Sequence, residues 1–121
     1  MQRLPGGYDD PMYKVPEVII QWGKEPVYSS PDGLFGHSVV DLMKRGTKII
    51  NINPASRGPR AREMNVRLRP GTDTALAMAM LNVMINEDLY DHEFVDLWCY
   101  GFAELAERVQ SMPPEKAAEI C

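Results

Sequence analysis

Glu17-Val18-Ile19-Ile20-Gln21-Trp22, then Leu34 through Lys44, then Lys48-Ile49-Ile50-Asn51-Ile52 is the stretch whose reading decides the fold. The first run is rich in β-branched residues and closed by Gly23, which predicts a buried strand. Between Lys24 and Gly33 the chain carries Pro26, Ser29, Ser30, Pro31, Asp32 and Gly33, all turn-forming types, and predicts a loop. Leu34 to Lys44 predicts a helix whose apolar face is Val39, Val40, Leu42 and Met43. Arg45-Gly46 closes it with a cation in the last turn and a glycine after it. The run from Lys48 to Ile52 predicts a second strand, stopping at Asn53-Pro54. Strand, crossover helix and strand of these lengths predict a βαβ unit, hence a parallel pair with a right-handed connection.

Downstream, residues 55–62 form a polar, basic loop with Gly58 and Pro59. Asn65-Val66-Arg67-Leu68 alternates and predicts a third short strand leading into Arg69-Pro70-Gly71-Thr72-Asp73. Thr74 to Glu87 predicts a helix with Leu76, Met78, Met80, Leu81, Val83, Met84 and Ile85 around most of its circumference, the pattern of a helix buried on several sides. Asp91 is placed to cap a helix running through Trp98, Phe102 to Val109 predicts another, and a last one starts at Pro113-Pro114. Upstream, residues 1–15 are rich in Gly, Pro, Tyr and Asp and read as loop. The expectation is an α/β fold with a short parallel sheet and a helical C-terminal part, one partial domain over 16–121. The chain stops inside its last predicted helix without a glycine stop signal, so it reads as a segment of a longer protein.

Composition narrows the chemistry. Of 121 residues, 45% are apolar and 25% charged, enough material for a core. A formal net charge of −4 argues against nucleic acid as a partner, because phosphate backbones select a basic face. Cys99 and Cys121 are far apart with no CxxC pair, which excludes a self-contained iron–sulfur or structural zinc site needing about four ligands. His37 and His92 share no metal-ligand spacing. The apolar runs fall short of the roughly 20 residues of a membrane span, so no membrane contact is expected from this segment.

Ligands of open parallel sheets bind beyond the carboxyl ends of the strands. Those ends are Trp22-Gly23-Lys24-Glu25-Pro26, Asn53-Pro54-Ala55-Ser56 and the Gly71-Thr72-Asp73 turn. Glycines, hydroxyls, an amide and a carboxylate suit a nucleotide, with backbone N–H groups and helix ends meeting phosphate. A carboxylate such as Asp73 accepts both the ring N–H and the exocyclic NH₂ of guanine, a pair adenine does not offer. Each element also has a plainer reading. Gly23 and Gly71 serve as turn residues, Asp73 complements a helix dipole at about 0.3–1 kcal/mol, Asn53-Pro54 is a common strand exit, Trp22 belongs to the core, and His37 is a packed or surface helix residue rather than a ligand.

The ordered motifs carry more weight than any one of them. Trp22-Gly23-Lys24-x-Pro26, His37, Arg45-Gly46-x-Lys48-x-Ile50-x-Ile52-x-Pro54 and Leu68-Arg69-Pro70-Gly71-Thr72-Asp73-x-Ala75-Leu76-Ala77 come in sequence. Ile85-Asn86-Glu87-x-Leu89-Tyr90-Asp91-x-x-Phe94-Val95 and Trp98-x-x-Gly101-Phe102 follow. Together they resemble the molybdopterin oxidoreductases of the dimethyl-sulfoxide-reductase type over roughly Val18 to Ile120. The resemblance implies a Rossmann-like three-layer domain holding the nucleotide end of one of two molybdopterin guanine dinucleotides around a Mo or W atom. By position, Trp22, Gly23, Lys24, Glu25, Pro26 and Ser29 approach the phosphates and ribose. Asn53, Pro54, Ala55 and Ser56 border the ribose and guanine, and Gly71, Thr72 and Asp73 meet the guanine.

The resemblance further implies a [4Fe–4S] cluster elsewhere in the parent. The remaining parent domains, iron–sulfur subunits and membrane-anchor subunits are the partners it implies. Its iron–sulfur cysteines and metal-ligating Cys, selenocysteine or Ser have no counterpart here, so this chain by itself is expected to be inactive. A cytoplasmic and an exported location both remain open. Many relatives have Asn where this chain has Glu25, and Asp-Pro-Arg where it has Asn53-Pro54-Ala55; the stretch from Asn53 to Asp73 is about one residue short. Those departures keep a second reading in play, a non-catalytic relative serving as structural or electron-transfer scaffold of a respiratory-type complex. An independent nucleotide-binding module, such as the central domain of a thiamine-diphosphate enzyme, is the third.

Overall fold

The computed structural model describes residues 14–29, 33–55 and 64–121. The chain divides into two compact units, Met1–Arg67 and Leu68–Cys121.

In the first unit, β1 (Val18–Trp22), β2 (Lys48–Ile52) and β3 (Met64–Val66) form a three-stranded sheet in the order β1-β2-β3. Both pairings are parallel, with Trp22 beside Ile52 and Ile52 beside Val66. This is the expected α/β class with a parallel sheet. A one-turn helix, α1 (Pro26–Ser29), and a longer one, α2 (Leu34–Lys44), connect β1 to β2. The loop expected between Lys24 and Gly33 thus contains a helical turn. Pro26 opens it with its fixed φ, and the Glu25 carbonyl accepts from the N–H groups of Tyr28 and Ser29 and from Ser29 Oγ at 2.6 Å. Gly46, at φ 98°, ends α2: its N–H donates to Met43 O at 3.1 Å and Thr47 N–H donates to Leu42 O at 3.0 Å. A left-handed residue is what this kind of helix end requires, and only glycine adopts it without strain.

Residues in register on a sheet share a face. Ile19, Gln21, Ile49 and Asn51 lie on one face, and of these Gln21, Ile49 and Asn51 are buried, as are Val39 and Leu42 of α2. The opposite face keeps Val18 at 46% and Ile20 at 48% exposure, with Met64 also exposed, and only Ile52 on it is buried. β1 is therefore not the wholly buried strand its apolar run suggests. It alternates. Gly36 sets how closely α2 approaches α1, because a Cβ there would stand 2.8 Å from Pro26 O and 3.1 Å from Val27 Cα.

The second unit is helical: α3 (Asp73–Asn86), α4 (His92–Trp98), α5 (Phe102–Val109) and α6 (Pro114–Ile120). α3 buries the stripe Ala75, Ala79 and Asn82, spaced four and three residues apart. Val109 and Ala117 are buried with them, and Asn82 Nδ2 donates to Val109 O at 2.9 Å. The leucines and methionines expected to bury α3 on several sides are half-buried, and Met84 is exposed. Asp91 caps α4 as its position indicates, its Oδ1 accepting from Phe94 N–H at 2.9 Å. Phe94, Leu97, Trp98 and Tyr100 project into solvent. The unit closes on itself where Arg69 N–H donates to Cys121 O at 2.9 Å and Cys121 Sγ meets Thr72 O at 3.7 Å.

Candidate nucleotide site at the strand exits

Parallel pairing puts the carboxyl ends of all three strands at one edge. There Gly23 N–H donates to Ile52 O at 2.9 Å and Asn53 N–H to Val66 O at 3.1 Å, so the first two exits continue the ladder before they turn away. Trp22, half-buried, ends β1. Gly23 follows at φ 62°, with nothing within 4 Å of where a Cβ would stand. Its backbone is accessible to a ligand without displacing any side chain.

Lys24 is exposed, Glu25 half-buried, Pro26 buried at the start of α1, and Ser29 exposed at its end. Asn53 folds its side chain into its own turn, Oδ1 accepting from Ala55 N–H at 2.9 Å. Pro54 and Ala55 are exposed beside it. The structure thus brings the Trp22–Pro26 and Asn53–Ala55 segments to one sheet edge. Ser56, like the rest of the basic loop up to Glu63, lies outside the described residues, as do residues 1–13 of the opening segment.

Gly71, Thr72 and Asp73 belong to the second unit. Gly71 has φ 88° with open space around it, Thr72 Oγ1 donates to Arg69 O at 2.7 Å, and Asp73 is exposed on the first turn of α3. A carboxylate there faces the positive end of the helix dipole.

The structure also shows polar residues at this edge that the reading of the strands overlooked. Gln21, Asn51 and Asn65 are Cα partners across the sheet, each one residue before its strand ends. Gln21 is 4% exposed and Asn51 1% exposed. Asn51 Nδ2 donates to Asn65 Oδ1 at 3.2 Å, whereas Asn51 Oδ1 and both amide atoms of Gln21 have no hydrogen-bond partner. A period-2 reading of β1 and β2 already puts an amide on the face that carries Ile19 and Ile49. That was the signal. Among the described residues no group of three or more His, Cys, Asp or Glu is placed to hold a metal ion, and no helix is long and apolar enough to cross a membrane.

No family model matches the chain. Similarity to individual proteins is extensive. The chain is 53% identical over 81 residues to acetylene hydratase of Syntrophotalea acetylenica, covering 64% of this chain and 11% of that protein. It is 37% identical over 84 residues to the thiosulfate reductase molybdopterin-containing subunit of Salmonella typhimurium, covering 68% and 11%. It is 31% identical over 105 residues to formate dehydrogenase H of Escherichia coli, covering 86% and 14%. Among solved structures, acetylene hydratase from Pelobacter acetylenicus matches 86% of this chain and 14% of its own, with a TM-score of 0.74 at 39% identity. The chain thus spans between a tenth and a seventh of these relatives. Along that span it belongs to the molybdopterin oxidoreductases of the dimethyl-sulfoxide-reductase type.

Proposed function

We propose that this chain binds the guanine-nucleotide part of one molybdopterin guanine dinucleotide within a larger molybdenum- or tungsten-pterin enzyme. One observation carries the reading: two adjacent parallel strands end together, and the first leaves through a left-handed glycine with open space around it. Ligands of open parallel sheets bind at such edges.

The residues fit a nucleotide. Gly23 lets a diphosphate approach the backbone, Lys24 supplies an exposed cation, and α2 begins after Gly33. A helix start of that kind carries roughly half a positive charge. Glu25, unfavourable beside a diphosphate, is half-buried rather than projecting. The resemblance assigns the guanine edge to the carboxylate of Asp73, which lies in the second unit. The bound metal group would supply oxygen-atom, hydride or electron chemistry, while these side chains bind and orient its nucleotide tail. In this reading the remaining parent domains are the chain's partners, joined by iron–sulfur and membrane-anchor subunits, and a [4Fe–4S] cluster sits elsewhere in the parent.

The test is the guanine nucleotide released from the purified full-length protein on acid hydrolysis. A stoichiometric amount is expected. Its absence would defeat the reading and favour the non-catalytic scaffold that Glu25 and Asn53 suggest. Asp73→Ala is expected to weaken nucleotide retention by roughly 1.5–3 kcal/mol, the scale of a charged hydrogen-bond partner. Unchanged occupancy in that variant would remove Asp73 from the site.

A further inference from the structure

The amide row beneath the strand exits has no role in the site as described so far. Folded proteins rarely leave buried amide atoms unpaired, and each exception calls for a cause. Here three such atoms stand together: Gln21 Oε1, Gln21 Nε2 and Asn51 Oδ1. Methionine, with the same unbranched length, would fill the position of Gln21 without that penalty. The amide must therefore meet something that methionine would not.

A cavity of about 250 Å³ adjoins Gln21, bounded also by Trp22, Lys24, Pro26, Phe35 and Val39. Its wall is mostly apolar and aromatic, and among the described residues lining it only Lys24, at the exit of β1, is charged. A second phosphate would want more cations. A sugar suits such a wall, its C–H faces packing on rings while its hydroxyls reach polar atoms. A carboxamide offers one acceptor and two donor hydrogens, which matches a vicinal diol. Asn53 is a neutral amide already engaged with Ala55 N–H.

We propose that Gln21 binds the ribose of the nucleotide, its carboxamide turning from the buried row into the adjoining cavity. Oε1 then accepts from one ribose hydroxyl. One hydrogen of Nε2 goes to the other hydroxyl oxygen, and the second hydrogen goes to Asn51 Oδ1. Asn51 holds its orientation through Asn65, and all three orphan atoms gain partners. The three side-chain torsions of glutamine permit the turn. This inference rests on the nucleotide reading above.

Cofactor-free full-length protein, wild type and Gln21→Met, titrated calorimetrically with guanosine diphosphate and with its 2′-deoxy analogue, provides the test. Wild type is expected to bind the ribonucleotide about tenfold more tightly, the worth of roughly one hydrogen bond. Gln21→Met is expected to bring that ratio to about one while melting no earlier than wild type. A ratio near one in wild type, a tenfold ratio surviving in Gln21→Met, or a lowered melting temperature in that variant each overturns the assignment. If wild type binds neither nucleotide, the broader nucleotide reading falls and this inference falls with it.

Discussion

The two faces of the sheet contrast in an unexpected way. One is covered, yet it carries the polar row Gln21, Asn51 and Asn65. The other is apolar along Val18, Ile20 and Met64, yet most of it stays exposed. Burial driven by the hydrophobic effect alone would give the reverse arrangement. The covered face therefore answers to two demands. It is buried together with Leu42 and Val39 of α2, and it keeps amides next to the strand exits. The open face answers to neither within the described residues.

Substitutions on the two sides probe that contrast. Leu42→Ala removes a fully buried side chain and leaves a void, so urea unfolding should show a loss of about 2–5 kcal/mol. A loss below 1 kcal/mol would mean that α2 is not the true cover. Gly36→Ala tests how tightly that cover is seated. Its new methyl group would press on Pro26 O and Val27 Cα, which are backbone and cannot rotate away, and a cost of about 1–3 kcal/mol is expected. Ile20→Thr on the open face should shift stability by no more than about 0.5 kcal/mol. A larger shift would show that this face is covered in solution and that the asymmetry is only apparent.

Much of the architecture could be read from residue patterns. Leu34–Lys44 and Lys48–Ile52 fall where periodicity and the Arg45-Gly46 stop place them. The third strand is Met64–Val66 rather than Asn65–Leu68, because Leu68 turns inward at the start of the helical unit and is buried there. Pro26 opens a helical turn inside an expected loop, since proline and serine are compatible with both and only the hydrogen bonds to Glu25 O decide. For α3 the hydrophobic pattern overstated burial: alanines at 75 and 79 make the close contacts, and the larger side chains on its other sides are only partly covered. At the candidate site, Trp22, Gly23 and Asn53 were legible as strand exits because glycine and Asn-Pro end strands for reasons local to the chain. The amide row was not. Its meaning depends on which residues lie in register across three strands, and that is a property of the sheet rather than of any one segment.

The hydrogen bond from Arg69 to the carbonyl of Cys121 gives the second unit the topology of a ring. Loosening α6 therefore disturbs the turn carrying Thr72 and Asp73, since Cys121 also meets Thr72 O through its Sγ.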